Sequence, residues 1–68
     1  MMHSYWYEFH GVVKALTDKA MLMQLGEQDV WIPLSVGKWP DELSMGEEGA
    51  VRLPEWFVHE KDLEDEAE

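Results

Sequence analysis

The sequence predicts a mainly β domain, a strongly curved antiparallel sheet followed by a short C-terminal α-helix, and three observations predict it. Large apolar side chains alternate with polar ones through much of residues 5–36, the period of two that a half-buried strand requires. Gly, Pro, Asp, Glu and Ser crowd residues 37–49, which is the chemistry of turns. Pro54 is followed by Glu55, the pairing that opens a helix, because proline has no N–H to leave unpaired and an acid suits the positive end of the helix dipole.

Tyr5 to Leu16 reads as a long first strand, with Tyr5, Tyr7, Phe9, Val13 and Ala15 on one face and Trp6, Glu8, His10, Val12, Lys14 and Leu16 on the other. Gly11 interrupts the apolar face and predicts a bulge or sharp bend there. Residues 17–19 make a turn. Ala20 to Leu25 forms a second strand, with Met21, Met23 and Leu25 together on one face, and residues 26–29 form a connection of hairpin length.

Val30 to Val36 is the third strand, with Val30, Ile32, Leu34 and Val36 facing one way and Trp31, Pro33 and Ser35 the other. Pro33 cannot donate to a ladder, so this strand belongs at a sheet edge or ends near that residue. Trp39 and Leu43 anchor the following connection on the core, and Ala50 to Leu53 is a short fourth strand. The helix is expected over 54–63, with Trp56, Val58, His59 and Leu63 as its apolar stripe and Trp56, like Trp39, as a packing residue. Beyond it, Glu60 with Glu64 and Asp62 with Glu66 would be like-charge neighbours opposing the dipole, so 64–68 is expected to be a disordered acidic tail. Residues 1–63 then form one domain, with an SH3-like or OB-like small barrel as the fullest form of the curled sheet.

The chain has 68 residues with 15 acids, five Lys or Arg, four Trp and no Cys. That apolar content sets it apart from a disordered acidic tail. A chain this short buries only about 60% of its unfolded surface, which leaves little room for a deep catalytic cavity. Without cysteine it has neither disulfides nor thiolate metal sites. No apolar run approaches the roughly 20 residues of a spanning helix, so a cytoplasmic protein with no membrane partner is expected. The net charge of −10 is uneven: the last fourteen residues hold seven acids against Lys61 alone.

Lys19-Ala20-Met21-Leu22, then Asp29-Val30-Trp31-Ile32-Pro33-Leu34-Ser35, and later Leu53-Pro54-Glu55-Trp56 with Lys61 and Leu63, carry a resemblance. Over roughly residues 8 to 63 the chain resembles small uncharacterised proteins encoded by phages and prophages, which share a Val-Trp-Ile-Pro-x-Ser strand and a terminal Pro-Glu-Trp helix. The resemblance implies phage origin, hence the host-cell cytoplasm, and an accessory role. It brings no catalytic residue. Leu34 stands where such sequences often carry a basic residue, which weakens a nucleic-acid role.

Candidate chemistry is sparse. Glu8 and His10 share a strand face and would need His3 or His59 to complete a metal site, a spacing that matches no known ligand pattern. Asp41, Glu42, Glu47 and Glu48 lie near Gly46 and Gly49 but do not follow the order of a calcium loop. Ser4, Ser35 and Ser44 sit in no nucleophile elbow, and there is no phosphate-cradling loop. No catalytic residue, metal or cofactor is therefore assigned, and the protein is read as a non-enzyme. Direct nucleic-acid binding is disfavoured, because phosphate affinity comes from Lys and Arg and these are outnumbered threefold.

The charge points instead to a basic protein surface. Carboxylates on a rigid scaffold imitate a phosphate array and occupy the channel of a nucleic-acid-binding complex. An inhibitor of a host defence complex, of the anti-CRISPR or DNA-mimic kind, is the reading this favours by analogy of class. Glu55, Glu60, Asp62, Glu64, Asp65 and Glu66 would supply the charge, with Trp31 or Trp6 as an aromatic anchor and the protein a monomer or weak dimer. The alternative is a structural or assembly module that dimerises or docks through the Trp31 strand, and a nucleic-acid-binding small barrel comes third.

Overall fold

The computed structural model describes residues 5–67. Four strands, β1 (Trp6–Leu16), β2 (Ala20–Leu25), β3 (Gln28–Pro33) and β4 (Glu48–Pro54), are followed by the helix α1 (Glu55–Lys61) and a single 3-10 turn (Glu64–Glu66). All pairings are antiparallel, and the sheet order is β3-β2-β1-β4. The mainly β architecture with a terminal helix is the one the alternation predicts.

The expected strong curl and barrel closure do not occur: the sheet is open. β3 and β4 form opposite edges, and closure would need them to meet. A short link replaces that closure. After β3 the chain crosses the inner face to β4, where Lys38 exchanges both backbone hydrogen bonds with Arg52, at 2.9 and 2.7 Å. On the way Trp39 packs against the core and donates its indole N–H to Met23 Sδ at 3.4 Å, while Leu43 packs against the same core. A Cβ at Gly49 would lie 2.6 Å from Leu43, so the glycine gives that anchor its seat.

The inner face of the sheet supplies Phe9, Val13, Met21, Met23, Leu25, Val30, Ile32, Val51 and Leu53, all buried. Phe57 and Val58 of α1 and the following Leu63 close over it. Burial of each large side chain is worth about 1.5–3 kcal/mol relative to exposure, so twelve such residues make this layer the main source of stability.

Gly11 plays a different part from the one expected. The register does not shift there; the irregularity falls between Val13 and Ala15, leaving Lys14 as the extra residue. One added residue reverses the faces beyond it, so Ala15 opposes Leu22 and Leu16 opposes the buried Met21, the opposite of a strict alternation. Gly11 instead marks a close approach, since a Cβ there would collide with the Gln24 carbonyl oxygen.

β3 stops at Pro33 rather than continuing to Val36, and it is an edge strand. The Pro33 carbonyl accepts from the N–H groups of Val36 and Gly37, which turns the chain away. β4 begins two residues earlier than expected and includes Pro54, which precedes the helix as its capping residue in extended conformation.

The helix ends at Lys61 because Asp62 takes a left-handed conformation, φ 59°. Its N–H donates to the His59 carbonyl at 3.2 Å, and the Leu63 N–H reaches back to the Val58 carbonyl at 2.9 Å. This is the Schellman arrangement, and the buried Val58 and Leu63 complete it. The like-charge pairs that argued for a disordered tail are thus never placed one helical turn apart. Residues 64–66 form a 3-10 turn instead, and Ala67 packs against the core; Glu68 lies outside the described residues.

Candidate interaction surface

The carboxylates of the C-terminal segment are positioned by the apolar pins beneath them. Burying Phe57 and Val58 leaves Glu55, Trp56, His59 and Glu60 exposed on α1, and burying Leu63 sets Asp62 and Asp65 outward on either side of it. His59 bridges the helix to the 3-10 turn: its Nε2 lies 3.3 Å from Glu55 Oε2 and its Nδ1 meets Glu64 Oε2. Tyr7 sits nearby, half-buried. Burial and then the Glu55 carboxylate, Tyr5 and the Glu64 carboxylate push its phenol above the ordinary 10.0.

Folding adds acids that are remote in sequence. Gln28 donates its side-chain N–H to the Asp62 carbonyl at 3.3 Å, and Glu66 lies against Gly26 in the β2–β3 turn. The exposed Glu27 is thereby brought beside the C-terminal acids, while Asp29 alternates with the inward Gln28 and Val30 and shares the outer face with Trp31. Among the described residues no Lys or Arg comes within ion-pair distance of a carboxylate. Lys61 extends over the Phe57 ring at 5.7 Å, Lys38 over the Trp6 ring at 5.1 Å, and Lys14 donates to Gln24. Lys61 lies within this acidic end but forms no ion pair with a carboxylate among the described residues.

The tryptophans divide differently from the sequence expectation. Trp31 is 48% exposed on the outer face of β3, across the sheet from α1, and Trp6 is half-buried beneath Lys38. Neither shares the face of α1 and its acids. Trp56, expected to pack, is 57% exposed on α1 beside Glu55 and one turn before Glu60, with its ring set edge-on to Phe57 at 5.7 Å. A seven-residue helix buries one narrow side, and the adjacent Phe57 and Val58 take it. Their adjacency was the sequence signal that Trp56 faces outward.

The metal candidates do not converge. Glu8 is exposed on the outer face, His59 turns both ring nitrogens to Glu55 and Glu64, and His3 lies outside the described residues. Among the described residues no group of three His, Asp or Glu gathers to hold a metal. In the would-be calcium loop, Glu47 accepts from the Ser44 N–H at 2.7 Å, while Asp41 and Glu42 edge an apolar cleft of about 360 Å³ beside Leu16, Met21 and Trp39. No described helix is long and apolar enough to cross a membrane. Comparison with protein-family models, with curated proteins and with solved structures returned no match.

Proposed function

We propose that the protein is a non-enzymatic, acidic docking module that binds a basic protein surface, and that it acts as a phage-type inhibitor by occupying the nucleic-acid channel of a host defence complex. The observation that carries this reading is the set of carboxylates drawn from the β2–β3 turn, α1 and the 3-10 turn to one end of the molecule, with no Lys or Arg paired to them among the described residues. Carboxylates without a Lys or Arg ion-pair partner keep their attraction for a basic surface. Trp56 replaces Trp31 and Trp6 as the aromatic anchor, since it alone of the three lies exposed among these acids.

The test is capture of partners from host lysate on immobilised protein at low and at physiological salt, beside a variant carrying Glu60→Gln, Asp62→Asn, Asp65→Asn and Glu66→Gln. A partner held at low salt, weakened by salt and lost with the variant supports the reading. A partner whose retention ignores both contradicts it.

A second reading, docking or dimerisation through β3, is favoured by the exposed Trp31 on an edge strand. The Leu34 N–H donates to the Lys19 carbonyl, so alternation turns the backbone groups of Asp29 and Trp31 to the free edge. Sedimentation separates the readings: a stable dimer lost on Trp31→Ala supports this second one.

A further inference from the structure

β1 is longer than the strand beside it, and the mismatch leaves a gap in the sheet. It runs Trp6–Leu16, but β2 pairs with it only from Gly11 onward, so Trp6–Glu8 have β4 on one side and, among the described residues, no strand on the other. The Val13 N–H donates to the Glu47 carbonyl, and the Val13 and Tyr5 carbonyls accept from Gly46 and Glu55, so odd-numbered residues of β1 turn their backbone groups toward β4. Alternation turns those of Trp6 and Glu8 to the open side. Neither takes a backbone partner there among the described residues.

Acids outnumber cations around this gap, where Lys38 lies over the Trp6 ring and Arg52 opposes Glu8 in the register with β4. Glu8 projects on the outer side, and Glu55 and Glu64 lie near Tyr7 on the inner side. The β2–β3 turn closes one end, with Glu27 exposed on it and Glu66 against Gly26. An unpaired strand edge offers main-chain hydrogen bonds to an extended peptide, and its flanking side chains select which peptide.

We infer that the gap beside Trp6–Glu8 receives an extended, basic segment of a partner protein as an added strand. This rests on the reading of the protein as an acidic docking module and names how the partner is held. The free edge of β3 is the poorer seat, because Pro33 lacks an N–H and its carbonyl is already used by Val36 and Gly37. A second copy of this chain is the poorer occupant, because each copy carries a charge of −10.

The probe is a capped pentapeptide of alternating valine and lysine, compared with the same peptide N-methylated at alternate residues, which keeps the charge and removes edge donors. Binding and amide hydrogen exchange are followed by NMR on the full chain at low salt. The expected result is protection of the Trp6 and Glu8 amides by tenfold or more, at least tenfold weaker binding of the methylated peptide, and weakening by Glu8→Gln with Glu55→Gln but not by Asp41→Asn with Glu42→Gln. Equal binding of the two peptides, or protection at Asp29 and Trp31 instead, overturns strand addition while the charge-based reading stands. No binding of either peptide overturns it too, and the salt response of lysate capture then reports on the docking reading separately.

Discussion

The sheet and its acidic C-terminal cap use their side chains in opposite ways. Across β2 and from Val30 onward in β3 each inward residue is buried and each outward one is partly or fully exposed, so sequence, backbone period and packing agree. In residues 55–67 only Phe57, Val58 and Leu63 are buried, and the remaining surface is predominantly acidic. The cap is held by three apolar pins and a Schellman turn, and outside the Glu55 and Glu64 contacts with His59 its charge is carried on the fold rather than used by it.

Damage to the sheet layer has the largest expected effect. Phe9→Ala removes a fully buried ring from the centre of β1 and should cost about 3–5 kcal/mol, read as a collapse of the urea midpoint. Gly11→Ala sets a methyl group against the Gln24 carbonyl, a backbone atom that cannot swing aside, and should cost about 1–3 kcal/mol. Asp62→Gly works on the cap in the other direction. It relieves a left-handed residue at the helix end and should stabilise by about 0.5–1 kcal/mol.

The smallest effect lies where the two regions meet, at Tyr7. Its phenol is raised in the folded state by burial first and then by Glu55, Tyr5 and Glu64. A raised folded value means that the neutral form is favoured by folding. The contribution is therefore complete below the unfolded value of 10.0 and declines as pH rises past it through the folded value. Stability should fall more steeply above pH 10 in the native protein than in Tyr7→Phe, as seen in urea midpoints measured across that range.

How much was legible in the sequence follows the same division. The four strands, the edge position of β3 and the helix opening at Pro54–Glu55 are written in local chemistry, while the end of β3 at Pro33 was obscured by the alternation that continues to Val36. The extra residue at Lys14 was hidden, because alternation looks the same on either side of a bulge and only the pairing partner reveals the slip. Closure was misjudged because the Lys38–Arg52 contact joins residues remote in sequence and stops at one bridge. Trp56 was misplaced because seven helical residues define no clear period. Glu27 carries no local mark of the site it joins; the contacts of its neighbours Gln28 and Gly26 place it there.

One paired measurement separates a binding role for the cap's charge from a folding role. The variant with Glu60→Gln, Asp62→Asn, Asp65→Asn and Glu66→Gln is compared with the native protein for its urea midpoint and for its affinity to a lysine homopolymer at low salt. The expected result is an unchanged or higher midpoint, because like charges are removed, together with at least tenfold weaker binding. A variant that loses more than about 1 kcal/mol of stability, or that binds the homopolymer as tightly as the native protein, would contradict it.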